Sequence, residues 1–569
     1  MSGSKKHRIR KWLLDRYGKN PLDFPNIDDV RENLENISIY YKELQETEKT
    51  SGAFVDDITW NDLEMDEVFF RINQTKTYVG EQVLYDSLHE LEQNKDFDSF
   101  EKQIEFFDNN QEDRLDLEQA LLTIGKRDDD YSVPMFLNNM EYLSIKYGFA
   151  FHILQALLVL FFVLAICTFK TLWGILALVV AVINVLVYTF TKDSCETFLY
   201  SLGSIKQLVI SANAILSNSK WKDILYDKDV DESINKLRKI VKWVGNFQMR
   251  KNQATVGNEF AFLYEYLLGI FLYDLSTYNH ILKMLQGKQE NVWKIYKFIG
   301  NLDMMLSVAS FRKSKDTVCA PVIYLENDKQ NVKHTEREET ALKDRTSYQT
   351  TYENTGISME AVCHPLIENC VSNNFILSKN AILTGANASG KSTFMKAVAI
   401  NAILAQTIHT CVAKSFSMPK VLVMTSMALR DDIVKGESYY VTEVKYLKRM
   451  IDSLDTVKKY LFVVDEIFKG TNTMERIAAS ETVLKYFYER NCHVMVATHD
   501  MQLAERMSNM YDSYHFNSQM QDNDILFDYV ICEGYGGNTN AIDLLACFGF
   551  PEEIVQDARK VIGEKICKK

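Results

Sequence analysis

Proline is scarce in this chain, with seven in 569 residues, and glycine reaches only 23. So few turn-forming residues exclude long proline- or glycine-rich disordered tracts and favour extended helices. The ten cysteines are scattered and no C-x-x-C pair occurs. That spacing supports neither a zinc site nor a disulfide framework, and buried or idle thiols in a reducing compartment are expected. An excess of positive charge is also missing. A formal net charge of −13 excludes binding to nucleic acid through overall basicity, so any such contact has to come from a local patch. The basic start is not followed by an apolar h-region and cleavage site, so a cleaved signal peptide is not expected. The remaining composition, 47% hydrophobic and 25% charged, is that of a folded protein. At about 100–200 residues per domain, the length suggests about three to five units.

Residues 1–19 form a basic arm in which Lys5, Lys6, Arg8, Arg10, Lys11, Arg16 and Lys19 face the single acid Asp15. Ile9, Trp12 and Leu13 fall on one face at helical spacing. Two readings stay open: a solvated tail, or an amphipathic helix attracted to anionic lipid or phosphate. Helical periodicity then runs from residue 61 to about 147, broken at 73–80. Residues 149–169 and 172–190 hold no charge, and only Lys170 and Thr171 separate them. Each run is close to the ~20 residues that cross a bilayer's hydrocarbon core. The alternative is a pair of buried helices in a soluble domain. A soluble helix keeps a polar stripe, whereas these runs are apolar all round except at His152, Gln155 and Asn184. The expectation is a hairpin that leaves both flanks on one side.

Helical patterning resumes from 192 to 318, for example at Ile234, Leu237, Ile240, Val241 and Val244, followed by a polar linker at 326–354. Short β-like runs at 381–384, 421–425, 460–464 and 494–497 then alternate with helices. Such alternation predicts a mainly parallel sheet covered by helices. The expected segments are an arm and linker at 1–58, helical regions at 59–148 and 192–318, the hairpin at 149–191, and an α/β domain at 319–569.

The run Gly385-Ala386-Asn387-Ala388-Ser389-Gly390-Lys391-Ser392-Thr393 fits G-x-x-x-x-G-K-[ST] between an apolar strand and a helix. Backbone N–H groups of such a turn and of a helix N-terminus cradle phosphates. Lys391 would reach the β- and γ-phosphates of ATP, and Ser392 would place its hydroxyl on Mg²⁺. The strand at 460–464 ends in Asp465-Glu466, where a P-loop enzyme holds its metal and its attacking water. Asp465 would bind Mg²⁺ through water, and Glu466 would act as the base. His499, after the strand at 494–497, could sense the γ-phosphate, the bland alternative being a surface histidine.

Taken together, these motifs resemble the ATPase domain of the MutS mismatch-repair family, whose P-loop reads G-P-N-M-G-G-K-S-T. Gly385, Asn387, Gly390, Lys391, Ser392 and Thr393 match it, while Ala386, Ala388 and Ser389 depart. Residues 431–443 resemble the family's D-D-x-x-x-G-x-S-[TS]-F-M-x-E segment, which reaches a partner subunit's nucleotide, a role that falls here on Ser438. Residues 465–473 resemble D-E-x-x-x-G-T-x-T, and 497–499 resemble A-T-H. Cys363-His364-Pro365 resembles R-H-P with Cys363 in place of arginine, and Phe375-Ile376 fall where the family stacks adenine. Upstream, Asn73, Thr75, Thr77 and Gly80 match the [DN]-x-[TC]-x-T-x-x-G turn of the family's helical core, and 302–309 resemble its exit helix.

The resemblance implies a P-loop ATPase of the ABC type, preceded by an all-α core and lever domain that the hairpin interrupts. It implies ATP and Mg²⁺ as cofactors, a homodimer with composite sites, and DNA as a partner. With about 58 residues before the core and no F-x-E reader among them, a mismatch-reading domain is not expected in this sequence. The expected location is the cell membrane, with the arm and the ATPase domain in the cytoplasm. A mechanochemical ATPase acting on a protein or lipid is the alternative. An ATP-binding cassette half-transporter fits poorly, because L-S-G-G-Q is missing and one hairpin cannot line a pathway.

Overall fold

The computed structural model describes residues 3–47, 53–91, 96–140, 148–255, 269–324, 356–378, 380–386, 389–427, 439–521, 524–534, 536, 542, 545 and 549–566. The chain divides into two compact units. One holds residues 1–51, 72–86 and 96–311, and the other holds 52–71, 87–95 and 312–569.

The first unit is helical. The arm forms helix α1 (Gly3–Arg16), anchored where Arg10 donates to Asp116 at 2.9 Å and pairs with Glu112 at 3.0 Å. Leu13 is buried while Lys5, Lys6, Arg8 and Lys11 stay exposed. The arm is thus helical, with Leu13 on its buried side. The two apolar runs form α2 (Gly148–Thr168) and α3 (Thr171–Leu216), the latter 46 residues long. Helix α2 and residues 171–191 of α3 are each long and apolar enough to cross a membrane. The helix Lys228–Thr255 packs along α3 and buries Ile234, Leu237, Ile240 and Val244, the 3.6-residue face read from the sequence. Two more helices, α4 (Tyr273–Leu285) and α5 (Gln289–Lys313), complete the region relevant here.

The break at 73–80 is a capped turn. Asp303 on α5, fully buried, accepts from the backbone N–H groups of Lys76 and Thr77 at 2.8 and 2.7 Å and from Thr77 Oγ1 at 2.6 Å. Thr77 Oγ1 accepts in turn from Gly80 N at 2.8 Å. The polar residues of that motif therefore satisfy backbone groups that a bare helix start would leave unpaired.

The second unit is mixed α/β. Its larger sheet has the order β10-β9-β4-β8-β7-β6, in which β4 (Asn380–Gly385), β6 (Leu422–Ser426), β7 (Tyr460–Asp465), β8 (Cys492–Ala497) and β9 (Asp512–Gln521) run parallel. Strand β10 (Asp524–Glu533) returns antiparallel to β9. The four expected strands are all present, and β4 and β8 are buried along their whole length, as the continuous apolar runs require of central parallel strands. A second sheet, ordered β1-β5-β2-β3, comprises β1 (Val322–Tyr324), β2 (Ile357–Val362), β3 (Asn373–Leu377) and β5 (Ser415–Pro419). Helices α6 (Lys391–Ile408), α7 (Tyr439–Ser453) and α8 (Thr473–Tyr488) belong to this unit.

Residues 52–71, which the sequence groups with the linker and first helical region, fold into this unit instead. Polar contacts explain why. Thr425 Oγ1 donates to Asp62 at 2.7 Å, Thr425 N donates to Thr59 Oγ1 at 3.1 Å, and Arg449 pairs with Asp56 at 2.6 Å. None of these leaves an apolar periodicity that a sequence pattern could register.

Candidate active site

The register of β4, β7 and β8 brings their C-terminal ends to one edge, with Leu383 beside Ala497 and Ala497 beside Asp465. In a parallel sheet that edge is where loops collect functional groups. The loop after β4 leaves through Gly385 (φ +140°) and enters α6 through Gly390 (φ +100°), conformations that side-chain-bearing residues rarely adopt. A Cβ on Gly390 would also lie 2.9 Å from the ring of Tyr529.

The ammonium of Lys391 is buried and donates to the carbonyls of Gly385 at 2.9 Å and Ala386 at 2.7 Å. Burial lowers its pKa, a cost to the charged form that an anion bound beside it would offset. Ser389 Oγ is buried and has no partner among the described residues. Ser392 Oγ donates to Asp465 Oδ2 at 2.6 Å, which brings a hydroxyl and a carboxylate together as hard oxygen ligands for a divalent cation. An orphaned buried hydroxyl, a buried lysine at a helix start and this oxygen pair fit a metal-bound polyphosphate.

Glu466 and Phe468 both adopt left-handed backbone conformations (φ +57° and +59°) in the turn after β7. Such strain, on the order of 1–3 kcal/mol per residue, persists only where surrounding contacts impose it. Here Glu443 supplies them, accepting from Lys469 N at 2.9 Å and Gly470 N at 3.4 Å. Burial raises the pKa of Glu443 against the effect of those bonds. Glu466 Oε1 lies 2.7 Å from His499 Nε2, and its other oxygen lies 3.1 Å from Lys469 Nζ. Burial alone would raise the pKa of Glu466, yet these two partners hold it down at about 2. Arg476 forks onto both oxygens of Asp500 at 2.7 and 3.0 Å, bracing the turn that carries His499.

Beside the start of α6 lies a cavity of about 290 Å³ lined by His364, Cys370, Asn373, Gly390, Thr393 and Tyr529, among others. Burial keeps the His364 imidazole neutral, with its pKa lowered to about 4. Asn373 clamps the β10 bulge, donating to Tyr529 O at 3.0 Å and accepting from Ile531 N at 2.8 Å, and so holds the Tyr529 ring against Gly390. Neither residue belongs to a sequence motif, and sequence reading missed both. Phe375 is 3% exposed and enclosed by Phe394 and Tyr514, at 5.2 and 5.0 Å between ring centroids, whereas Ile376 is 47% exposed. The two alternate across β3, so of this pair Ile376 is the one on the surface. Thus Gly385, Ser389, Gly390, Lys391, Ser392, Thr393, Asp465, Glu466 and His499 gather at the sheet edge. Asn387 and Ser438 lie outside the described residues.

Residues 381–565 match the family model for MutS domain V. Over this region the chain is similar to the MutS family. Among relatives, the DNA mismatch repair protein MutS of Aquifex pyrophilus is 30% identical over 212 residues, covering 35% of this chain and 25% of that protein. The DNA mismatch repair protein MutS 2 of Haloarcula marismortui is 28% identical over 188 residues, covering 32% and 20%. The DNA mismatch repair protein MutS of Pseudothermotoga lettingae is 29% identical over 214 residues, covering 36% and 26%. The chain therefore spans about a quarter or less of these relatives, and the MutS likeness is carried by the domain that holds the site just described.

Proposed function

We propose that this chain is a membrane-anchored MutS-like ATPase that hydrolyses ATP at a composite dimer site and couples turnover to binding of mismatched or branched DNA. The convergence of Lys391, Ser392–Asp465 and Glu466–His499 on one strand edge carries the reading. Lys391 and the backbone amides at the start of α6 would bind the phosphates, and Ile376 and Tyr529 offer apolar surface for the base. Ser392 would hold Mg²⁺ directly and Asp465 through water; when bound, the ion neutralises charge on the phosphates. Glu466, ionised and oriented by His499 and Lys469, takes a proton from the attacking water. Ser438 completes the site of the neighbouring subunit in the dimer.

The membrane part rests on exposure. Phe169 is 90% and Leu178 65% exposed, and only 11% and 17% of the residues in the two apolar windows are buried. A soluble protein rarely leaves so large a contiguous apolar surface uncovered. The continuity of α3, from the apolar run into the helical unit, favours a second reading in which a protein or lipid is the partner. ATP turnover measured alone and with homoduplex, mismatched and branched DNA separates the two. Stimulation by the altered DNA supports the first reading, and indifference to every DNA leaves the second.

A further inference from the structure

Three polar residues interrupt the apolar runs, and the structure gives two of them a common task. Gln155 Nε2 donates to the carbonyl of Phe271 at 2.8 Å and to that of Leu272 at 3.4 Å. Asn184 Nδ2 donates to the carbonyl of Ile270 at 2.6 Å, and Asn184 is fully buried. His152 Nδ1 lies 3.2 Å from Gln155 Oε1 and orients that amide. Three consecutive carbonyls are thus taken up by one side chain from each apolar helix.

The backbone leaves helical geometry at 271–272. Leu272 adopts the left-handed conformation (φ +48°) just before α4, and its carbonyl also accepts from Ser276 N at 3.0 Å, so the two amides serve chiefly the carbonyls of Phe271 and Ile270. Gln155 stands seven residues past Gly148 and Asn184 seven before Thr191, about 10 Å along each helix from those ends. Non-helical backbone at such depth is tolerated only where protein satisfies it, and polar residues inside a span face such partners. Close approach agrees with this, since a Cβ on Gly269 would lie 3.0 Å from the ring of Tyr188. Ile270 and Phe271 also line an apolar groove of about 520 Å³, together with Leu158, Phe162, Ala177 and Ala181. The groove is continuous with the exposed faces of Val159 and Leu178.

We propose that the turn at 269–272 is a third membrane-embedded element, re-entrant from the side of the two flanks, with lipid acyl chains as the partner of Ile270, Phe271 and the groove. This rests on the membrane reading above and adds to it a segment that neither apolar run contains.

The test uses the full chain in phosphatidylcholine–phosphatidylglycerol vesicles, with photoreactive p-benzoylphenylalanine replacing Phe271, Leu178 or Lys283 in turn. Lipid adducts are counted by mass spectrometry after irradiation. Adducts at 178 and 271, with at least tenfold fewer at 283, are expected. Adducts at 178 but not at 271 overturn the re-entrant turn and leave the spans standing. None at either position removes both, and equal adducts at all three denote surface adsorption and also overturn the proposal. In a second arm, Gln155→Leu with Asn184→Leu should lower the adduct at 271 several-fold and leave 178 unchanged. An unchanged yield at 271 would show that the amides do not hold the turn.

Discussion

His499 Nε2 lies 2.7 Å from Glu466 Oε1, so the residues that follow two neighbouring strands, β8 and β7, are tied side chain to side chain. With Lys469, this contact keeps the carboxyl of Glu466 at about 2 despite burial. The folded value lies below the ordinary one for glutamate, about 4.3. The stabilisation is therefore complete above that value and is lost as the pH falls through 4 towards 2. His499→Ala should move the Glu466 pKa up towards the ordinary range, read by carbon-13 NMR titration of the carboxyl. A value that stays near 2 would show that Lys469 alone sets it.

Glu466→Gln should leave ATP binding nearly intact and slow hydrolysis by about 10²–10⁴-fold, the range for loss of a positioned base. Lys391→Ala should weaken nucleotide binding itself. Equilibrium binding of a fluorescent ATP analogue and steady-state turnover distinguish the two, and parental turnover by Glu466→Gln would sink the assignment of the base.

Ser438→Ala and Lys391→Ala proteins, each inactive, should recover turnover when mixed. A mixed dimer keeps one site with both an intact Lys391 and an intact Ser438. Absence of recovery, under conditions where labelled subunits demonstrably exchange, would remove the main support for a composite site.

Leu178→Asp and Val182→Asp place charge on exposed apolar faces of α3. Each should cost roughly 2.5–3.5 kcal/mol of insertion, and the double variant should wash from membranes with carbonate where the parent does not. Equal retention of both would argue that these helices lie elsewhere than in a bilayer.

Much of the α/β unit was legible because its signals are local. Val463-Val464 and Val494-Met495-Val496 are strands by run and length, and the loop between Gly385 and Ser392 is a contiguous motif. Ser392, Asp465, Glu466 and His499 could be grouped because parallel strands carry their trailing residues to one edge. What escaped depends on contacts distant in sequence. Asp62 declares its unit through Thr425, 363 residues away, and Tyr529 reaches the site through a bulge that Asn373 holds from another strand. Phe375 and Ile376 are adjacent, and only the pleat of β3 decides which of them is buried.

Helix α3 runs unbroken for 46 residues and contains no proline. At 1.5 Å per residue it is a rod about 70 Å long, without the residue that most often lets a helix kink. Torque applied where it packs against the helix Lys228–Thr255 would therefore reach Leu178 and Gly174 almost undiminished. With the apolar end set in a bilayer, lipid viscosity becomes the drag against which any turn of that rod has to work.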